Sequence, residues 1–143
     1  MELVKKNFDQ LTKHELYELL KVRSAIFVVE QTCPYLDIDG LDYDAYHVFY
    51  KDEQGKVLAY LRLFQENNIW CIGRVLTATH GQGLGGKVLH AGLEFARELK
   101  IDHIEMEAQV YAIGFYEREG FEAFGEEFKL DGIPHIKMKL DLK

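Results

Sequence analysis

The sequence predicts an α/β protein of the α+β kind, in which helices flank a mixed, mostly antiparallel sheet. Two segments with apolar residues at helical spacing predict helices. Between them lie three β-rich runs, separated by short polar stretches of the kind that form hairpins. A strand, a short helix and two strands then close the chain. The expected order is therefore α, βββ, α, β, α, ββ.

The first helix is predicted to begin at Thr12 and to end near Glu30. Thr12 can cap the helix, and Glu15 completes a capping box. Six apolar residues then share one face: Leu16, Leu19, Leu20, Val22, Ile26 and Phe27. The pattern breaks at residues 31–44, where a proline, a glycine and several acidic residues predict a long acidic loop. Its aspartates are Asp37, Asp39, Asp42 and Asp44.

The remaining elements follow the same periodicities. Three strands are expected, at Ala45–Lys51, Val57–Gln65 and Ile69–Thr77. A glycine-rich turn leads into a second helix that ends at Lys100, whose positive charge suits a helix C-terminus. A strand, a short helix and two strands are then expected at Ile101–Ala108, Tyr111–Glu119, Phe121–Phe128 and His135–Leu140.

Composition favours a single domain over residues 1–143, because the chain has 48% hydrophobic residues and neither a linker-like stretch nor a repeat. No apolar run suits a signal peptide or a membrane span, so we expect a cytoplasmic protein without a membrane partner. The net charge of −7 argues against nucleic acid and suits a cationic small molecule or a lysine-bearing peptide better. Cys33 and Cys71 lack zinc-site spacing, so we expect two reduced thiols.

A glycine-rich turn at residues 81–86 is the most informative segment. Glycines before a helix let several backbone N–H groups converge on an anion at the positive helix end, so phosphate is the expected ligand class. A Walker A loop is disfavoured, because Val88 follows Lys87 and offers no hydroxyl for Mg²⁺. A dinucleotide-binding fingerprint is an open alternative, because Glu107 lies about 20 residues further on, where an acidic residue would contact a ribose. The position of the turn, mid-chain after a β-meander, argues against it.

Two segments resemble the GNAT superfamily of N-acetyltransferases. Residues 74–89 resemble its motif A, Q/R-x-x-G-x-G/A, with His80, Gly83 and Gly85 in the defining places. Residues 109–121 resemble its N-x-x-A-x-x-x-Y-x-x-x-G-F motif, with Gln109 in place of Asn. Further stretches are similar to the ElaA group of that superfamily: Phe27–Tyr35, Asp37–Gly40 and Asp131–Ile136.

The resemblance implies an acyl-CoA N-acyltransferase fold with splayed central strands, and acetyl-CoA as co-substrate without a metal. Pantetheine is expected to pair with one splayed strand, and the pyrophosphate to lie on the glycine turn. The implied cofactor-binding residues are Val75, Leu76, Thr77, Gly81, Gln82, Gly83, Leu84, Gly85, Gly86 and Gln109.

The expected reaction is direct attack of an amine on the thioester, with backbone N–H groups stabilising the oxyanion. Tyr116 matches the family tyrosine and is the expected general acid for the departing thiolate, because a phenol pKa of about 10 and a thiol pKa of about 8.5 are nearly balanced. A covalent route through Cys33 is the minor alternative. Candidate bases are Glu30, His47, Glu105 and Glu107, and expected substrate contacts are Glu30, Asp37, Asp39 and His135.

The leading hypothesis is therefore acetyl transfer to a small-molecule amine or to a protein lysine or N-terminal amine. A catalytically silent acyl-CoA-binding module and a dinucleotide-dependent oxidoreductase are the alternatives. The sequence does not identify the acceptor. It also leaves the oligomeric state open, a homodimer included.

Overall fold

A computed structural model describes residues 1–143. Its strands form one seven-stranded sheet in the order β1-β2-β3-β4-β5-β7-β6. Only β4 and β5 are parallel, and every other pair is antiparallel. The predicted mixed, mostly antiparallel sheet is thus confirmed. The strands are β1 Glu2–Asn7, β2 Tyr46–Lys51, β3 Val57–Glu66, β4 Ile69–Thr77, β5 His103–Gln109, β6 Glu122–Leu130 and β7 Ile133–Asp141.

Three α-helices accompany the sheet: α1 Lys13–Arg23, α2 Leu84–Glu98 and α3 Ile113–Glu117. The predicted capping box forms, since the Glu15 N–H donates to Thr12 Oγ1 and the Thr12 N–H donates to Glu15 Oε1. The helix expected to reach Glu30 instead changes at Arg23 into a π-helix over Ser24–Glu30, a segment rich in β-branched residues that are weak helix formers. None of the helices combines the length and apolar character needed to span a bilayer.

Each face of the sheet has its own core. Alternate residues of β3 serve the two sides: Leu61 and Leu63 pack under α2, whereas Tyr60 packs with Leu19 of α1. Helix α2 lies very close to β3 at Gly92, where a Cβ atom would come within 2.8 Å of Leu61. The close approach explains a glycine inside a helix, where it otherwise costs about 1 kcal/mol relative to alanine.

The centre of the sheet is splayed. Strand β4 pairs with β3 along its length but with β5 only at Cys71 and Glu105. Further along β4, Arg74 has a left-handed φ of 54°, and the register with β3 shifts between Tyr60 and Arg62. This bulge bends β4 away from β5, so the later part of β4 has a strand partner on one side only. The predicted splay is confirmed, and it opens a cleft.

Candidate active site

The cleft between the splayed strands is a cavity of about 200 Å³. Its walls come from β4, β5, the end of the π-helix, loop 31–44 and the β6–β7 turn. Six residues that the sequence predicted for the site or its chemistry line it: Cys33, Val75, Glu107, Gln109, Tyr116 and His135. They lie up to 102 positions apart in the chain, from Cys33 to His135, and the fold brings them together.

The glycine turn connects this cleft to the start of α2. Gly83 has a φ of 70° and precedes the first helical residue, and no side chain caps the helix there. The first N–H groups of an α-helix have no partner within the helix, so this end of α2 presents free donors and a partial positive charge. A Cβ at Gly85 would contact Thr77 and Phe115 at 3.4–3.5 Å, which shows how closely the turn packs on the end of β4. These residues fit a phosphate group.

The three predicted pantetheine contacts differ in side-chain placement. Val75 lines the cleft, Leu76 is buried in the core beside α1, and Thr77 packs against the glycine turn. The side chain of Leu76 is therefore closed to a ligand, so contacts along this stretch would come mainly from the backbone of β4. Pairing of this backbone with an extended pantetheine would supply the partner that β5 does not provide.

Tyr116 of α3 is 8% exposed and lines the cleft. Its ring packs edge-on against Phe115 and Phe121, with centroids 5.0 and 6.1 Å away. Burial raises the pKa of Tyr116, so the hydroxyl stays protonated at neutral pH. A phenol of raised pKa is also a weaker acid, so proton transfer to sulfur is less balanced than ordinary pKa values indicate.

Gln109 and His135 face each other across β5 and β7. The Gln109 amide lies 3.5 Å from Gln31 at the end of the π-helix. The His135 Nδ1–H donates to the Ile133 carbonyl at 2.7 Å, because a carbonyl can only accept. This bond leaves Nε2 of His135 available in the cleft wall.

Loop 31–44 is held over the sheet by an ion-pair network that sequence reasoning missed. Arg23 is fully buried and donates to Asp37 at 2.9 Å and to Asp42 at 2.7 Å. Arg62 donates to Asp39 at 2.6 and 2.8 Å and to Asp42 at 3.0 Å. The signal was present in Arg62, because an arginine among the apolar residues of a central strand requires acidic partners.

Arg74 completes the network from the bulge in β4. Its guanidinium donates to Asp37 Oδ1 at 2.8 Å and to Asp39 Oδ2 at 3.2 Å. Burial alone would raise the pKa of Asp39, but Arg62 and Arg74 hold it at about 2. The sequence suggested that Asp37 and Asp39 attract a cationic substrate through their negative charge, and this reason is wrong. Three arginines balance the three aspartates, so these carboxylates are not free to attract a cation. A role in substrate binding stays a prediction.

The four candidate bases occupy different environments. His47 is fully buried away from the cleft; its Nε2–H donates to the Asp42 carbonyl at 3.0 Å, and burial lowers its pKa. Glu30 is exposed and bonded to His80 at 2.9 Å, and Glu105 is bonded to His103 at 2.9 Å. Glu107 lines the cleft and has no hydrogen-bond or ion-pair partner. Geometry therefore favours Glu107.

The two cysteines lie near the site without an activating group. Cys33 lines the cleft but has no hydrogen bond to a histidine or carboxylate, so a covalent route lacks a base in contact with the thiol. Burial raises the pKa of Cys71 to about 11, which keeps this thiol protonated and unreactive.

The dinucleotide interpretation of the glycine turn is wrong at the level of the fold. A dinucleotide-binding domain needs a sheet of successive parallel strands, whereas this sheet has a single parallel pair.

Comparison with known proteins agrees with the geometry. The acetyltransferase (GNAT) domain family matches residues 26–142. The chain is 36% identical to ElaA of Escherichia coli over 91% of this chain and 90% of that protein. The crystal structure of E. coli ElaA superimposes with a TM-score of 0.91 and 34% identity, covering 97% of this chain and 99% of that one.

An acyl-CoA N-acyltransferase from Pseudomonas aeruginosa is similarly close, with a TM-score of 0.92, 38% identity and coverage of 97% and 99% of the two chains. Family match, relatives and fold agree, and the protein therefore belongs to the GNAT acetyltransferase family, with ElaA among its relatives.

Proposed function

We propose that this protein transfers an acetyl group from acetyl-CoA to a primary amine by direct attack in a ternary complex. The observation that carries the proposal is the continuity of the site: β4, which has no second strand partner beyond Cys71, leads through residues 78–83 to the start of α2, where no side chain caps the helix. The first part suits an extended pantetheine, and the second suits a pyrophosphate. Gln82, Leu84 and the glycines at 81, 83, 85 and 86 would contribute the phosphate contacts.

In the proposed reaction the amine nitrogen attacks the thioester carbonyl carbon beside the β4 bulge. Free N–H groups of β4 would stabilise the oxyanion, because fixed dipoles act strongly in a cleft with little water. The C–S bond then breaks, and Tyr116 donates its proton to sulfur as negative charge develops there. Tyr116 is protonated at neutral pH, as a proton donor must be, and it lines the cleft.

The acceptor is a small-molecule amine or a lysine or N-terminal amine of a protein. We propose that the whole chain acts as one cytoplasmic catalytic domain, since one sheet supplies both the acyl-CoA cleft and the walls around it.

The experiment is an acceptor screen with acetyl-CoA that follows release of free thiol across amino acids, polyamines, aminoglycosides and lysine peptides. Wild-type protein should release thiol and form the acetylated amine. Tyr116→Phe keeps the ring, so it should bind acetyl-CoA normally and lower kcat about 100-fold or more. Tight acetyl-CoA binding without acetylation of any amine would instead identify a binding module, and an unchanged kcat in Tyr116→Phe would remove the hydroxyl from the mechanism.

A further inference from the structure

The narrow end of the acyl-CoA cleft lies where β4 and β5 begin to separate. Cys71 and Glu105 form the only register pair between the two strands. Just beyond this pair, Gly73 and Met106 line both the cleft and a second cavity of about 370 Å³ beside it. From there β4 continues to Thr77 and leads toward the glycine turn. The gap between the strands therefore closes at Cys71 and opens toward the start of α2.

The proposed position of acetyl-CoA directs its acyl group to this narrow end, and this direction rests on the proposed function. With the pyrophosphate on the glycine turn, the pantetheine follows β4 backwards from Thr77 to Val75. The sulfur comes after the pantetheine, and the acyl group after the sulfur. The acyl group therefore points at Gly73 and Met106, and not at solvent.

Met106 closes the gap between the strands from the core side. Its side chain lies in the core under α2, as do those of Ile104 and Ala108 on the same face of β5. Of these three residues, only Met106 lines the two cavities. Met106 is nevertheless only 5% exposed, so its side chain forms a floor and does not project into the cleft. An unbranched thioether fills irregular space well, and here it fills the space between the splayed strands and the core.

The direction away from the core is charged. Arg74 and Glu107 belong to the wall that the two cavities share. An acyl chain that turned toward the second cavity would displace water from these charged groups, which is unfavourable because methylene groups cannot replace the lost hydrogen bonds. Added methylene groups would gain burial toward the core, where Met106 already occupies the space.

We infer that Met106 limits the length of the acyl group and thereby restricts the donor to short thioesters such as acetyl-CoA. A two-carbon acyl group fits above the Met106 side chain, whereas a four-carbon group would have to displace it. Displacement is unfavourable, because side chains in a close-packed core cannot move without strain. Met106 thus determines donor specificity and takes no part in the proton transfers.

The test compares Met106→Ala with Met138→Ala. Met138 stands opposite Met106 in the β5–β7 register and is buried in the same core, but it lines neither cavity. Calorimetry gives the dissociation constants of acetyl-CoA and butyryl-CoA for each protein. The wild-type protein should bind butyryl-CoA about tenfold or more weakly than acetyl-CoA. Met106→Ala should bring the two constants within about threefold of each other, and Met138→Ala should leave their ratio within about twofold of the wild-type ratio.

Met106→Val is the second variant, in case the alanine variant does not fold. Valine is shorter than methionine and suits a strand, so it should change the ratio in the same direction with a smaller loss of stability. Urea unfolding verifies that each variant is folded.

Equal affinity of the wild-type protein for the two thioesters would overturn the inference and leave acetyl transfer standing. An unchanged ratio in folded Met106→Val would do the same. An equal change in Met138→Ala would also overturn it, because the cause would then be a looser core and not the floor of the cleft. A wild-type protein that binds neither thioester would contradict the proposed function and the inference together.

Discussion

Arg74 offers a test in which replacement by glycine should give a more stable protein than replacement by alanine, the reverse of the usual result. The residue lies in β4 with a φ of 54°, a left-handed conformation that is unfavourable for any side chain with a Cβ atom. The perturbation is a pair of variants, Arg74→Ala and Arg74→Gly. Both remove the same hydrogen bonds to Asp37 and Asp39, so the difference between them reports the backbone alone.

Two opposing contributions set the size of that difference. The left-handed conformation costs roughly 1–2 kcal/mol for a residue with a Cβ atom, and glycine avoids it. Glycine loses more conformational entropy on folding, which costs roughly 0.5–1 kcal/mol relative to alanine. Arg74→Gly should therefore be more stable than Arg74→Ala, by up to about 1.5 kcal/mol.

The measurement is the free energy of unfolding in urea for both variants, with Lys129 as the control position. Lys129 is an exposed strand residue of β6 that lines neither cavity and does not have a positive φ. Alanine should be the more stable replacement there, by about 0.5–1 kcal/mol. If alanine is also the more stable replacement at Arg74, then β4 does not hold the left-handed bulge, and the explanation of the splayed strands fails.

Three further predictions concern binding, pH and the ion-pair network. Gly85→Val should weaken acetyl-CoA binding about tenfold or more by calorimetry, since its methyl groups would block the turn and press on Thr77; wild-type affinity in a folded variant would reject the phosphate site. Burial alone would raise the pKa of Glu15, but Thr12, Lys6 and Lys51 lower it to about 2 from 4.5. The ionised Glu15 therefore stabilises the fold by up to about 3 kcal/mol above pH 4.5, and this contribution is lost as the pH falls toward 2. The difference in free energy of unfolding between the wild-type protein and Glu15→Gln should shrink over that range. A difference that stays constant would contradict the prediction. Asp37→Asn should lower the free energy of unfolding by about 3 kcal/mol, because it leaves Arg23 buried with one charged partner fewer, and a loss below about 1 kcal/mol in urea unfolding would contradict this role.

Local signals in the sequence predicted most of the fold. The capping box at Thr12 and the β-rich run at Val57–Gln65 act over a few residues, and both formed as expected. Strand β1 was missed, because Val4 is its only fully buried residue and edge strands carry little apolar pattern. The change to a π-helix after Arg23 was also missed, since its apolar residues keep the spacing of an ordinary helix.

Site residues that belong to a sequence motif were predicted, whereas contacts between residues far apart in the sequence were not. Tyr116 lies in the cleft, as its motif indicated. The partners of Arg74 and Arg23, by contrast, are 14 to 37 positions away, and nothing in either segment specifies the other. The sequence therefore did not show that Asp37, Asp39 and Asp42 of the acidic loop pair with arginines, and a role of the loop in substrate binding stays a prediction.

The position of acetyl-CoA can be measured residue by residue from backbone amide NMR spectra recorded with and without the ligand. Binding between the splayed strands predicts shifted amides at Val75–Thr77 and at Gly83–Gly86 and new exchange protection at Val75 and Thr77, with the amides of the outer strand β1 unchanged. NAD should produce no such pattern. Shifts confined to other parts of the sheet, or exchange protection of the Val75 and Thr77 amides before the ligand is added, would contradict the proposed site.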